Sequence, residues 1–170
     1  AVDDALLADP APVNAALLLG MLDVWYAQFF GTTSKAVVPY AQDLALLPDH
    51  LQQLQMESNG KSVTATGDPV HWPTSPVVWG APGTNGQHAF FQLLHQGTAR
   101  VAMDFIAPVN ASSRFQPQHD LALANCFAQA EAFAFGQTEL QVQADLEARG
   151  TPPEEIARLL THKVHVGNRP

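Results

Sequence analysis

Only 14% of the residues are charged, so a short stretch holding several groups able to grip a ligand or move a proton stands out. One is Gln53-Leu54-Gln55-Met56-Glu57-Ser58-Asn59-Gly60-Lys61. Gln53 and Glu57 are four apart and project from one face of a helix, where they could hold one ligand together. The expected helix runs from a cap at Asp49 to about Ser58 and stops in a left-handed turn at Asn59-Gly60. Glu57 then falls in the last turn, where unpaired carbonyls disfavour an ionised carboxylate, as suits a general base working near neutrality. The rival reading is a solvated glutamate at a helix end.

The second stretch is Trp79-Gly80-Ala81-Pro82-Gly83-Thr84-Asn85-Gly86-Gln87-His88-Ala89-Phe90-Phe91-Gln92. A strand ends, a glycine-rich loop turns, and a helix from about Asn85 to Gln96 opens with His88 in its first turn. Ligands of open α/β sheets sit at the carboxyl ends of strands, and a helix N-terminus disfavours imidazolium, leaving His88 neutral and able to exchange protons. The spacing fits neither a dinucleotide fingerprint nor a P-loop. The rival reading is a histidine that braces the loop. His95 reads as structural. His162 and His165 have no carboxylate or cysteine at ligand spacing, so no metal site is expected. Cys126 reads as a small core residue rather than a nucleophile.

The elements around these groups alternate. A broad apolar helix starting near Asp9-Pro10 and Pro12 carries Leu17, Leu18, Met21, Leu22, Trp25, Phe29 and Phe30 and is expected to be buried. Ala36 to Tyr40 reads as a short strand whose Pro39 marks an edge or a strand end. Ser62 to Ala65 and Val70 to Trp72 flank a turn. Pro76 to Gly80, the helix ending at Gly97, and Arg100 to Ile106 form a βαβ unit with parallel strands and a right-handed crossover. An alanine-rich helix from about His119 to Phe135, an amphipathic one from Thr138 to Arg149, and a last one opened by a capping box at Thr151 to Glu154 complete the chain. The expectation is α/β, three layers, with a mainly parallel sheet flanked by helices.

The 170 residues, 46% of them hydrophobic, suffice for one core. Eight basic against sixteen acidic residues, a net charge of −8, leave no basic face for nucleic acid. Asn14, Asp23 and Gln28 interrupt the stretch from Pro12 to Phe30, whose apolar runs fall well short of the roughly 18 residues of a membrane span. The start has no basic flank of a signal peptide, and both ends read as cut. One cysteine allows no internal disulfide, which fits a reducing, cytoplasmic setting.

Met56-Glu57-Ser58-Asn59-Gly60-Lys61 and Pro82-Gly83-Thr84-Asn85-Gly86-Gln87-His88-Ala89-Phe90 resemble two hallmark stretches of the glucose-6-phosphate isomerase family, in order and separation. The likeness extends through Trp25 to Gly31, Val38-Pro39-Tyr40, Leu94 to Gly97, Asp104-Phe105-Ile106, His162-Lys163-Val164 and Gly167-Asn168-Arg169-Pro170. It implies that residues 1–170 are the second sugar-isomerase domain of a longer isomerase, flavodoxin-like, homodimeric and without cofactor. By that resemblance Glu57 corresponds to the base that moves a proton between C1 and C2 of an open-chain sugar phosphate. His88 corresponds to a ring-opening histidine contributed to the neighbouring subunit's site, and Gln53 to a substrate contact. The family's enediol-steadying arginine, phosphate loop and late lysine fall outside this stretch, so these residues alone are expected to be inactive. Ala81 stands where some members carry an acidic residue, and Val109 to Gln118 matches less well. The alternative is a non-catalytic sugar-phosphate-binding module of the same fold; no residue supports a signalling role.

Overall fold

The computed structural model describes residues 2–8, 14–111 and 114–167. The expected helix-start residues Asp9, Pro10 and Pro12, and the closing Asn168-Arg169-Pro170, lie outside these.

After α1 (Val2–Ala8), α2 (Ala15–Phe29) is capped by Asn14, whose side chain accepts from the Leu17 N–H at 3.0 Å. Three strands follow: β1 (Ser34–Pro39), β2 (Val77–Gly80) and β3 (Val101–Ile106), all parallel in the order β2-β1-β3. That is the start of the flavodoxin-like 2-1-3 arrangement. β1 is the centre of the sheet, so of the two positions open to Pro39 it takes the strand end.

Side-chain alternation along β1 divides the protein into layers. Ala36, Val38 and Tyr40 pack with Val101, Phe91, Leu94, Cys126 and Phe133 in the main core. Those partners come from β3, α5 (Phe91–Gln96) and α6 (Gln116–Phe135). Lys35 looks the other way, toward α2. Its ammonium is 2.7 Å from Asp23 on α2 and 2.8 Å from Asp104 on β3, with its side chain 11% exposed. α3 (Leu47–Leu51) also packs against β1 and β2. Helices therefore cover both faces of the sheet, as expected.

The helix between β2 and β3 is broken in two. α4 (Gly83–Ala89) ends at Phe90, whose φ of −142° and ψ of −2° are not helical, before α5 begins. Beyond α6, Gly136 at φ +67° turns the chain into β4 (Gly136–Gln137), which pairs antiparallel with β5 (His165–Val166). Between them α7 (Glu139–Ala148) and α8 (Pro153–Lys163) enclose a second small core of Val142, Leu146 and Ile156. The capping box belongs to α7, where Thr138 and Gln141 satisfy each other's backbone N–H groups. At α8 the cap is Pro152, which makes no side-chain hydrogen bond, so the box expected at Thr151 is absent.

α2 corrects another expectation. None of its residues is buried, and Trp25 and Phe29 are 53% and 71% exposed. Apart from its contact with α1, much of its hydrophobic surface is open to solvent among the described residues. Among them, no helix is long and apolar enough to cross a membrane.

The Lys35 cluster ties α2 to the sheet. Burial pulls the ammonium pKa down, but hydrogen bonds and charge from Asp104 and Asp23 outweigh it, and the net value lies above the ordinary 10.5. Lys35→Met should lower unfolding free energy by about 2–3 kcal/mol, less than for a fully buried pair because both aspartates are partly solvated. Urea unfolding measures this. Because the folded value is raised, the contribution is whole below the ordinary 10.5 and is lost as pH rises from there through the raised value.

Candidate functional site

The segment bearing Gln53 and Glu57 is not an ordinary helix. α3 starts at Leu47 with Pro48 in its first turn, and Asp49 lies inside that turn rather than capping it. From Gln52 to Glu57 the coil widens into a π-helical turn, a form over-represented at functional sites. It ends without the expected left-handed glycine, since Gly60 is not among the glycines with positive φ.

This turn lies against β2, one of the two edge strands of the sheet among the described residues. The Val78 N–H, pointing away from β1, donates to the Met56 sulfur at 3.3 Å. The neighbouring Val77 N–H points inward to the Thr33 carbonyl at 2.8 Å. Met56 thus closes an unpaired strand edge and fixes the π-turn to it. Gln53 and Glu57 are both exposed, and the Glu57 side chain is 75% accessible. Lys61 donates to the Glu57 backbone carbonyl and lies 3.9 Å from its carboxylate, a loose, solvated pair.

His88 is exposed on α4, but not at a helix start. The helix opens at Gly83, immediately after Pro82, so His88 falls in its last turn. The helix-start electrostatics expected of it do not apply. Gly83, its first residue, lies against the Tyr40 ring, where a Cβ would collide with the ring carbons.

The carboxyl ends of the strands form an open cleft of about 400 Å³. Tyr40 and Asp43 beyond β1, Thr84 beyond β2, and Gln118 and His119 at the start of α6 supply its polar groups. It lies where a 2-1-3 sheet has its switch point. Gln53, Glu57 and His88 do not line it. The structure thus leaves Gln53 and Glu57 exposed on the turn beside β2 and His88 exposed on α4, with no hydrogen bond or ion pair joining them among the described residues. The polar groups of the cleft were missed at the sequence level. The available signal was the position of Tyr40 at the end of a buried apolar run.

Of the other singled-out residues, Cys126 is buried, as expected, and burial pushes its thiol up. His95 stacks on Phe133 at 4.0 Å and shares a hydrogen bond of 2.9 Å with Gln129, a structural setting. Among the described residues no group of three or more His, Cys, Asp or Glu is arranged to hold a metal ion.

Fold and site together define a three-layer α/β domain with a parallel sheet, an exposed Gln53 and Glu57 beside one edge strand and an exposed His88 on α4. The phosphoglucose isomerase family pattern matches residues 1–170, and the chain belongs to that family. Glucose-6-phosphate isomerase of Saccharophagus degradans is 49% identical over all of this chain and 31% of its own length. That of Deinococcus radiodurans is 52% identical over 99% of the chain and 30% of its length. The crystal structure of a glucose-6-phosphate isomerase from Chlamydia trachomatis superposes with a TM-score of 0.73 at 39% identity, covering 80% of this chain and 28% of that one. A hypothetical protein of Thermus thermophilus shares the fold at a TM-score of 0.57 and 22% identity, over 77% of this chain and 34% of that one. The chain spans about 30% of the length of the curated relatives it matches.

The Met56 contact gives a direct test of how the π-turn is held. Met56→Ala should raise the amide exchange rate of Val78 about tenfold, the worth of one modest hydrogen bond, while Val77 stays protected. Hydrogen exchange read by NMR checks both amides.

Proposed function

We propose that residues 1–170 are the second sugar-isomerase domain of a longer enzyme that interconverts glucose 6-phosphate and fructose 6-phosphate. The observation that carries this reading is the identity of about half to glucose-6-phosphate isomerases along essentially the whole chain.

The chemistry follows from what an aldose–ketose exchange requires. The pyranose ring must open, and His88 assists by moving the proton between the ring oxygen and the C1 hydroxyl. Glu57 then takes the proton from C2. The electrons of that C–H bond become the C1–C2 double bond, and the C1 carbonyl oxygen gains a proton, giving a cis-enediol. Return of the proton to C1, with loss of the O2 proton, yields the ketose. Electrons shift only within the sugar, so the reaction needs no redox cofactor. Gln53, one turn from Glu57, holds the substrate.

The exposure of all three side chains supports this reading in a particular form. A base on an open rim gains the dry, oriented setting that catalysis needs only when further protein closes over it. The reading therefore includes a cytoplasmic homodimer in which His88 serves the neighbouring subunit's site. The uncovered apolar face of α2 fits packing against more protein. The phosphate anchor and the cation that steadies the enediol come from the remainder of the enzyme, because among the described residues Lys61 is the one cation paired with Glu57.

In the full-length protein, Glu57→Gln should lower kcat by about 10²–10⁴-fold while KM changes little, the pattern of a lost general base. A coupled assay of glucose 6-phosphate isomerisation reads it. Unchanged kcat would remove Glu57 from the chemistry, and retained binding with no wild-type turnover would favour a sugar-phosphate-binding module. The 170 residues by themselves should give no turnover in that assay; a rate near the ~10 s⁻¹ typical of enzymes would show the domain to be self-sufficient.

A further inference from the structure

α4 carries His88 on its outer side, and its inner side rests on one residue of the central strand. Tyr40, 5% exposed at the end of β1, touches α4 in two ways. Its ring fills the space that a side chain at position 83 would need. Its hydroxyl accepts a hydrogen bond of 3.1 Å from Gln87 Nε2. Gln87 immediately precedes His88, so the bond fixes the rotation of the turn that aims the imidazole outward. One turn on, the Phe90 ring lies against Gly86, leaving no space for a Cβ there, and is itself held edge-on to Trp79 at 4.7 Å. α4 is a helix of seven residues interrupted at Phe90, too short to hold its own orientation without such contacts.

We infer that Tyr40 is a positioning residue for His88, seating α4 through Gly83 and locking its rotation through Gln87. The inference rests on the reading of His88 as the ring-opening group. Burial first, and the neighbouring Cys126 second, push the Tyr40 hydroxyl up to about 12, against a smaller opposing effect of the Gln87 bond. The hydroxyl therefore stays neutral through the range in which the enzyme would work, and its part is mechanical.

A residue that acts only by orienting His88 should slow ring opening and leave the C2 proton transfer alone. In the full-length protein, Tyr40→Phe should lower kcat/KM for glucose 6-phosphate about tenfold, the scale of a misplaced catalytic group. The primary isotope effect with substrate deuterated at C2 should fall toward one, since the earlier step now limits the rate. Gln87→Leu should do the same from the other partner, and the double variant should be no worse than either single one. A general loss of folded enzyme would lower the rate and leave the isotope effect unchanged. The inference is overturned if either variant stays within twofold of the parent, or loses rate with an undiminished isotope effect. His88→Ala separates the two layers. If it suppresses the isotope effect while Tyr40→Phe does not, the tie from Tyr40 fails and the reading of His88 stands. If His88→Ala changes neither rate nor isotope effect, that reading fails and the Tyr40 inference falls with it.

Discussion

A lysine ammonium in the middle layer of an α/β sandwich must find negative charge, and in this protein it finds two sources from two different layers. Lys35 is on the central strand, Asp23 on α2 and Asp104 on β3, both within 2.8 Å. Removing either aspartate leaves a positive charge short of a partner in a place that water reaches poorly, and removing the lysine leaves two carboxylates facing each other. The cluster thus sets where α2 lies on the sheet and holds β3 beside β1 on that face. Replacing all three by apolar residues would bring back the burial without the register, because hydrophobic contact does not specify direction.

The opposite face of β1 is organised by size rather than charge. Ala36 and Val38 leave room for Phe91, Phe105 and Phe133, whose rings meet edge-on or tilted at 5.7 to 6.5 Å. Tyr40 closes the row, and its ring is the floor on which α4 sits. The two faces meet the proposed chemistry differently. One fixes the layers, and the other carries the helix on which the proposed ring-opening histidine is mounted.

The π-turn after α3 joins these two arrangements to the rim. Its widened backbone brings Met56 to the open edge of β2, and Glu57 follows on the solvent side. Because β2 is an edge strand, something must cover its free N–H, and the thioether does so without adding a charge. The proposed base is therefore mounted on the same contact that protects the sheet from pairing with another chain. The switch-point cleft lies at the carboxyl ends of the strands and is lined by Tyr40 and Gly83, but by none of Gln53, Glu57 and His88.

Sequence by itself determined the layer order and the identity of the candidate groups. The buried run at Ala36 to Tyr40, the βαβ spacing from Pro76 to Ile106 and the Gln53/Glu57 interval are local patterns, readable because period and turn chemistry are local. Element ends were less legible. α4 starts at Gly83, packed on the ring of Tyr40 more than forty residues away, and α8 takes no side-chain cap although Thr151 and Glu154 offered one. Tertiary structure alone decided that Pro39 ends a central strand, that the helix after β2 breaks at Phe90, and that β4 pairs with β5. It also decided the exposure of α2: a hydrophobic sequence states what a surface can bury, and only the packing of the whole shows whether a partner for it is present. The same holds for Glu57 and His88. Residue type and spacing named them, while the distance between a base, a histidine and a sugar is a property of folded chains, set by contacts that no local pattern records.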